Sequence, residues 1–333
     1  MTMSSQPEPF EQLSGVNPEH IGLLDATLRA PSAHNAQPWL IRPLDDNRTY
    51  ELHYDQNETL PEDRDSKDAY LTMGALVETM ALQAPNHGFD VAVTPQLTRD
   101  GQDLFIAKVA ITGLTEDSPF DILSNWVDKR VTNRNRYQKD PLPAALEHDL
   151  EGLGNVLVDP ELLKDVVLEA SIKSWANPRY LRDLETWFRN DEAAEDGITP
   201  RPFNISKADV LALRFAFWRG SLKSKMMGQF YSSRDVGTFT SGPKAAVLTA
   251  AEMTPPALFD AGRRLLRSWV TITAADYSYQ PFSVAVDEES AAAKVGEITG
   301  VEFPVALYRI GRAAKPPRGL SNRKPLHKVL IKG

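Results

Sequence analysis

The chain has 333 residues, 42% apolar and 25% charged, with a net charge of −8; that is room for one large or two medium domains around a substantial core. So acidic a chain has no general attraction for nucleic acid or anionic lipid, and any anion site must come from a local cluster of Arg and Lys. It has no cysteine, which removes disulfides, thiol nucleophiles, iron–sulfur clusters and Cys-ligated zinc, so redox chemistry would need a borrowed cofactor. The N-terminus, Met1 to Phe10, has no apolar h-region and no run of about 18 apolar residues occurs, so the expectation is a cytoplasmic protein without a membrane span.

Residues 1–15 read as a loose tail. A helix is predicted over Pro18 to Arg29, with Ile21, Leu23, Leu24 and Leu28 on one face, Asn17 as its N-cap and Pro31 as its stop. Trp39 to Arg42 and Tyr50 to Tyr54 read as strands flanking a turn at Asp45-Asp46-Asn47. A long helix over Ser66 to Ala84 carries Gly74 inside it and ends at Pro85-Asn86-His87-Gly88; strands over Asp90 to Leu97 and Leu104 to Ile111 follow. Residues 113–125 form a candidate linker, with Gly113, Asp117, Ser118 and Pro119. Beyond it come a basic stretch, Lys129 to Arg136, and a helix over Leu142 to Leu153. The region 178–240 reads as helical in parts, and a strand follows over Ala245 to Ala250. A second long helix, Pro256 to Ala275, contains Gly262. A short helix, Glu289 to Thr299, and a strand, Pro304 to Ile310, complete the order. Long helix with an internal glycine, then a strand ending in glycine (Gly113, Gly311), thus occurs twice and suggests a diverged duplication.

Three stretches could carry chemistry. Ala30 to Trp39 places Ser32, His34, Asn35 and Gln37 between two prolines, where Ser32, Asn35 and Gln37 could aim hydrogen bonds at a polar heterocycle; the same residues also suit a plain helix stop and turn. In the extended stretch Lys129 to Arg136, Arg130, Thr132 and Arg134 share one face and suit a phosphate; the alternative is a solvated charge run. Lys315 to Pro325 offers Ser321 and Arg323 as further phosphate donors, or is a basic tail. No Walker A, nucleotide-fold glycine fingerprint, G-x-S-x-G or H-E-x-x-H motif is present, and the six histidines are scattered, so no metal site and no catalytic side chain are assigned.

Together these motifs resemble the nitroreductase superfamily, and within it the single-chain Acg branch. Ala30 to Trp39 is similar to the family's APSxxNxQPW segment, and Arg130-Val131-Thr132-Asn133-Arg134 to its RRSxR phosphate motif with Thr for Ser. Leu60-Pro61 through Arg64 with Met73-Gly74-Ala75 resembles the approach to its core helix, and Leu184 to Trp187 with Asp196-Gly197-Ile198 an Acg-branch pattern. The resemblance implies an α+β nitroreductase-like fold, with two diverged nitroreductase-like halves fused in one chain in a pseudo-twofold arrangement. The halves would span 16–115 and 116–333, with a lid insertion at 190–243 that includes Phe215, Phe217, Trp218, Met226, Met227, Phe230 and Tyr231. It implies FMN as cofactor, with Arg130, Thr132, Arg134, Ser321 and Arg323 at the phosphate and Pro31, Ser32 and Asn35 against the ribityl chain and ring edge. The first half has no phosphate motif and the second no PSxxNxQPW equivalent, so one FMN site is expected. The implied function is an NAD(P)H-dependent oxidoreductase acting on nitro compounds or quinones; the alternative is an FMN-sequestering protein whose lid blocks turnover. Monomer and homodimer both stay open.

Overall fold

The computed structural model describes residues 13, 15–60, 63, 65–101, 103–116, 118, 121–219 and 225–331, with backbone only for 215–219 and 225–227. Most of the expected tail, Pro61 and Arg64 of the core-helix approach, Asp117 and Pro119 of the linker, Gly220, and the side chains of Phe215, Phe217, Trp218, Met226 and Met227 lie outside the described residues.

Asn17 accepts the Glu19 N–H at 3.1 Å, as its cap role requires, and leads through a 3-10 turn into α1, Ile21–Thr27. The helix stops three residues earlier than Pro31 alone would force, and the carbonyls of Leu28, Arg29 and Ala30 accept from Arg323, with that of Arg29 also accepting from Arg130. β1, Trp39–Pro43, and β2, Thr49–Tyr54, form a hairpin whose turn is held by Asp46, which accepts the Arg48 and Thr49 N–H groups. After α2, Lys67–Gln83, come β3, Phe89–Asp100, and β4, Asp103–Gly113. These strands make an antiparallel sheet in the order β1-β2-β4-β3.

The second sheet repeats that order. α3, Ala144–Gly152, precedes β5, Asn155–Val158; then come α4, Lys164–Ala176, α5, Pro178–Trp187, α6, Lys207–Arg219, and α7, Lys225–Phe239. β6, Lys244–Thr249, is followed by α8, Pro255–Ala274, and β7, Ser278–Pro281, then α9, Val284–Asp287, α10, Glu289–Thr299, and β8, Pro304–Gly311. The order is β5-β6-β8-β7, antiparallel throughout, and in each sheet one long helix joins the second strand to the third. β5 and β7 are edge strands of four residues, too short for an alternating pattern to show in the sequence.

The glycines inside the two long helices are where those helices meet. A Cβ on Gly74 would lie 2.1 Å from the Phe259 carbonyl oxygen, and one on Gly262 would lie 2.1 Å from that of Leu71. Backbone touches backbone at both points, a contact open only to glycine. Below the crossing, buried Glu78 accepts from Arg263 at 2.8 Å and Arg267 at 2.6 Å, and Arg267 also reaches Asp121. One apolar core runs from Leu52, Ile106 and Val109 of the first sheet through Met73 and Phe259 to Leu248, Tyr308 and Ile310 of the second. A smaller core, with Val167, Val247, Phe282 and Leu307, lies on the second sheet's other face, as the alternation along β6 and β8 requires. The C-terminal segment returns to the first sheet: Ile41 donates to the Val329 carbonyl and accepts from the Ile331 N–H. Among the described residues no helix is long and apolar enough to cross a membrane.

Candidate functional site: an arginine pocket opening into a large cleft

The stretch between α1 and β1 is a turn of unusual backbone. His34, Asn35 and Gln37 all have positive φ, at 52°, 58° and 57°, a region that non-glycine residues other than Asn enter at a cost. Three contacts impose it. Arg323 donates to the Asn35 side-chain oxygen at 2.7 Å, Gly197 N–H donates to the Asn35 carbonyl at 3.1 Å, and the Ser32 hydroxyl accepts the Gln37 N–H at 3.0 Å. Gln37 faces away from the pocket. Its amide donates to the Asn35 and Glu195 carbonyls and accepts the Lys324 N–H, so it latches three segments together. Asn322 adds to the latch by donating to the Glu192 and Ala194 carbonyls.

The basic stretch is extended and pinned along its length. Asn133 N–H donates to Tyr279 and its side chain to the Lys315 carbonyl, while fully buried Arg309 donates to the Asn135 carbonyl and stacks 3.7 Å from the Tyr137 ring. Arg130, Thr132 and Arg134 thereby line one small pocket of about 90 Å³, together with Pro31, Ser32, Asn35, Ser321 and Arg323. Every predicted site residue except Gln37 is in this wall, drawn from three stretches far apart in the chain.

The pocket's charge is one-sided. Arg29, Arg130, Arg134 and Arg323 all line it and no carboxylate does, among the described residues. Arg130 is 9% exposed and uses two N–H groups, on the Tyr279 hydroxyl at 2.6 Å and the Arg29 carbonyl at 3.1 Å. Arg134 donates to the Pro202 carbonyl at 3.0 Å and lies 4.1 Å over the Phe203 ring. Arg323 is placed differently. Its guanidinium sits under the end of α1, donating to the carbonyls of Leu28 and Ala30 and to Asn35, so it offers the pocket charge more than free donors. Burial pulls Arg134 down to about 10. Burial, followed by repulsion from Arg130 and Arg29, pulls Arg323 down to about 9. Both stay protonated at neutral pH. Crowded, desolvated cations of this kind are stabilised by an anion, and guanidinium with hydroxyl groups suits a phosphate.

Through Pro31, Ser32, Thr132, Arg134 and Phe203 the pocket continues into a cleft of about 1060 Å³. Its walls come from α2 (Leu71, Thr72, Ala75), α8 (Leu265, Trp269), β7 and β8 (Gln280, Val305, Leu307) and the segment after α5 (Ile198, Phe203, Ile205). His34, singled out in the sequence, stands in this wall; burial lowers it to about 4, so its ring is neutral at pH 7. The sequence reading named Tyr231 as part of the insertion but missed Arg29, Tyr279, Trp269, Trp175 and Tyr180. Only Arg29, beside the predicted Ala30 to Trp39 stretch, carried a local signal.

No protein-family model and no curated relative matches the chain. It is similar to solved structures of nitroreductases. The FMN-dependent nitroreductase NfnB from Mycobacterium smegmatis, in complex with NADPH, is 16% identical with a TM-score of 0.38, over 61% of this chain and 94% of that one. The FMN and NADPH-dependent nitroreductase NfnB from sphigopyxis sp. strain HMH is 18% identical with a TM-score of 0.38, over 63% of this chain and 97% of that one. At these values the likeness carries no weight for function, which has to be read from the pocket itself.

Proposed function

We propose that the chain is a cytoplasmic flavoprotein of the nitroreductase type, holding one FMN in this cleft and passing electrons from NAD(P)H to a nitro compound or quinone. The observation that carries the reading is the four-arginine pocket without a carboxylate among the described residues, joined to a cleft of about 1060 Å³ whose walls are partly apolar, with Leu71, Ala75, Leu265, Trp269, Val305 and Leu307. The residues fit the group. Arg130, Arg134, Thr132 and Ser321 would bind its phosphate, with Arg323 adding charge; Pro31, Ser32 and Asn35 would border the ribityl chain. The planar ring would lie in the wide part, between α2, α8 and the second sheet. FMN when bound would supply the two-electron redox chemistry that a chain without cysteine lacks. The protein's part is to bind, orient and exclude water, so no side chain is assigned as acid, base or nucleophile. The repeated strand order and the mutual Gly74 and Gly262 contacts support two diverged halves related by a pseudo-twofold, at 16–115 and 116–333.

A second reading, FMN sequestration without turnover, is favoured by one feature. Residues of the 190–243 insertion, among them Ile198, Phe203, Ile205, Leu213 and Tyr231, form one wall of the cleft, and its start is latched by Gln37 and Asn322. The experiment is to purify the protein, count FMN released on denaturation, and mix the holoprotein anaerobically with NADH or NADPH while following the visible flavin band. One flavin per chain that bleaches rapidly supports the oxidoreductase. One that resists reduction until 200–240 is deleted supports sequestration. No flavin, or two per chain, refutes the single-site proposal.

A further inference from the structure

The cleft has a second end with the opposite character. Through His34, Asp68, Tyr180 and Ser283 it joins another cavity, of about 1140 Å³, whose wall includes Asp63, Asp183, Asp287, Glu289, Glu297 and Glu302. The two lysines there are already engaged: Lys67 with Asp287 at 2.6 Å and Lys173 with Glu288 at 3.4 Å. Among the described residues the carboxylates of this wall outnumber its cations. Their crowding shows on Asp68, whose carboxyl is held well above the usual range by burial and by Asp287 and Asp63, so that it favours its proton until a cation beside it offsets that field. Asp68 has no side-chain hydrogen bond among the described residues, and it stands in the wall of both cavities.

Aromatic rings stand beside these carboxylates. Trp175 stacks on Tyr231 with centroids 4.9 Å apart at 18°, and Tyr180 meets Trp175 edge-on at 5.9 Å and 78°, forming a corner in the cleft wall. Burial, followed by the charges of Asp235, Asp183 and Asp287, raises the Tyr180 hydroxyl, and Asp235 lines the cleft from α7. Aromatic faces with nearby carboxylates are what a desolvated organic cation needs, since ring quadrupole and charge attract it together. The same field repels an anion.

We infer that the end of the cleft opening toward Asp287 is a subsite for a flat organic cation, seated against Trp175, Tyr180 and Tyr231 with Asp68 and Asp235 as counter-charges. The cleft would then take an anionic group at the arginines and a cationic one on the side that opens toward Asp287. The subsite does not depend on the flavin reading, because none of these five residues belongs to the arginine pocket.

The test is calorimetric titration of the purified protein with 1-methylquinolinium, a flat monocation, and with 1-naphthoate, an anion of similar size. The cation should bind at least about tenfold tighter, and more weakly as salt rises. Asp68→Asn and Asp235→Asn should each lower its affinity by about threefold or more. Tyr180→Phe should keep binding and Tyr180→Leu should lose it. Equal binding of the two probes, or affinity unmoved by salt and by both Asn variants, overturns the subsite. Flavin content is counted on the same samples, so a flavin-free protein that prefers the cation supports the subsite while sinking the flavin proposal, and the reverse result sinks the subsite alone.

Discussion

Replacing Arg130 by Ala tests the phosphate assignment most directly. Truncating one partner of a buried, hydrogen-bonded charge pair costs about 2–5 kcal/mol. Two features of the pocket place this case at the low end. Arg134, Arg323 and Arg29 remain, and removing Arg130 relieves the repulsion it exerts on Arg323. A loss of about 2–3 kcal/mol, or roughly 30- to 150-fold in FMN affinity, is expected. Arg130 also holds the Tyr279 hydroxyl and the Arg29 carbonyl, so the substitution will cost some stability, and affinity alone would not separate the two effects. Riboflavin, which lacks the phosphate, supplies the control. Both flavins are titrated into stripped protein by fluorescence quenching. Arg130→Ala should weaken FMN by the stated factor and leave riboflavin within about twofold, so that the preference for FMN collapses. If both flavins weaken equally, Arg130 acts through the fold and the phosphate assignment is wrong. If FMN binding is unchanged, the phosphate lies elsewhere.

Gly74→Ala should destabilise the chain by about 2–3 kcal/mol despite alanine's better helix propensity, because its Cβ would meet the Phe259 carbonyl at 2.1 Å; Gly113→Ala, with open space around it, is the control, and equal melting temperatures for the two variants would refute the backbone crossing. His34 gives a pH dependence. Its pKa falls from 6.5 to about 4 on folding, so the unfolded chain takes up the proton first. Stability is therefore lost as pH drops from about 6.5 toward 4, by at most about 3.4 kcal/mol, and levels off below both values. His34→Gln should flatten that part of a urea-midpoint profile, and an unchanged slope would show that the ring is not held neutral.

How far the sequence was legible followed the range of the signal. Asn17 as a cap, the Asp45 to Asn47 turn and the glycine-bearing long helices are local patterns, and each lies where the pattern puts it. The edge strands β5 and β7 did not show, because four residues cannot carry a period. The region 178–240 was visible only as helical in parts and α4 was not assigned; among the described residues none of α4 to α7 reaches the main core, and their apolar residues, such as Val167, Leu181 and Leu213, pack in smaller separate clusters. In the site, residue type was informative and side-chain use was not. Arg130 and Arg134 line the pocket as an extended basic segment suggests, but Gln37, chosen by the same kind of reasoning, turns to Glu195 and Lys324. An amide can serve a ligand or a loop equally well, and only the three-dimensional neighbours decide. Arg323 is intermediate, in the pocket wall yet largely committed to the carbonyls that end α1.

The pocket's membership also has a consequence for biosynthesis. In chain order Arg29 to Asn35 come first, Arg130 to Arg134 follow, and Ser321 with Arg323 come last, just before the segment that pairs with Ile41. The four-arginine wall is therefore complete only once translation has passed Arg323. Chains interrupted earlier keep an unclosed first sheet edge and an arginine cluster without its final wall.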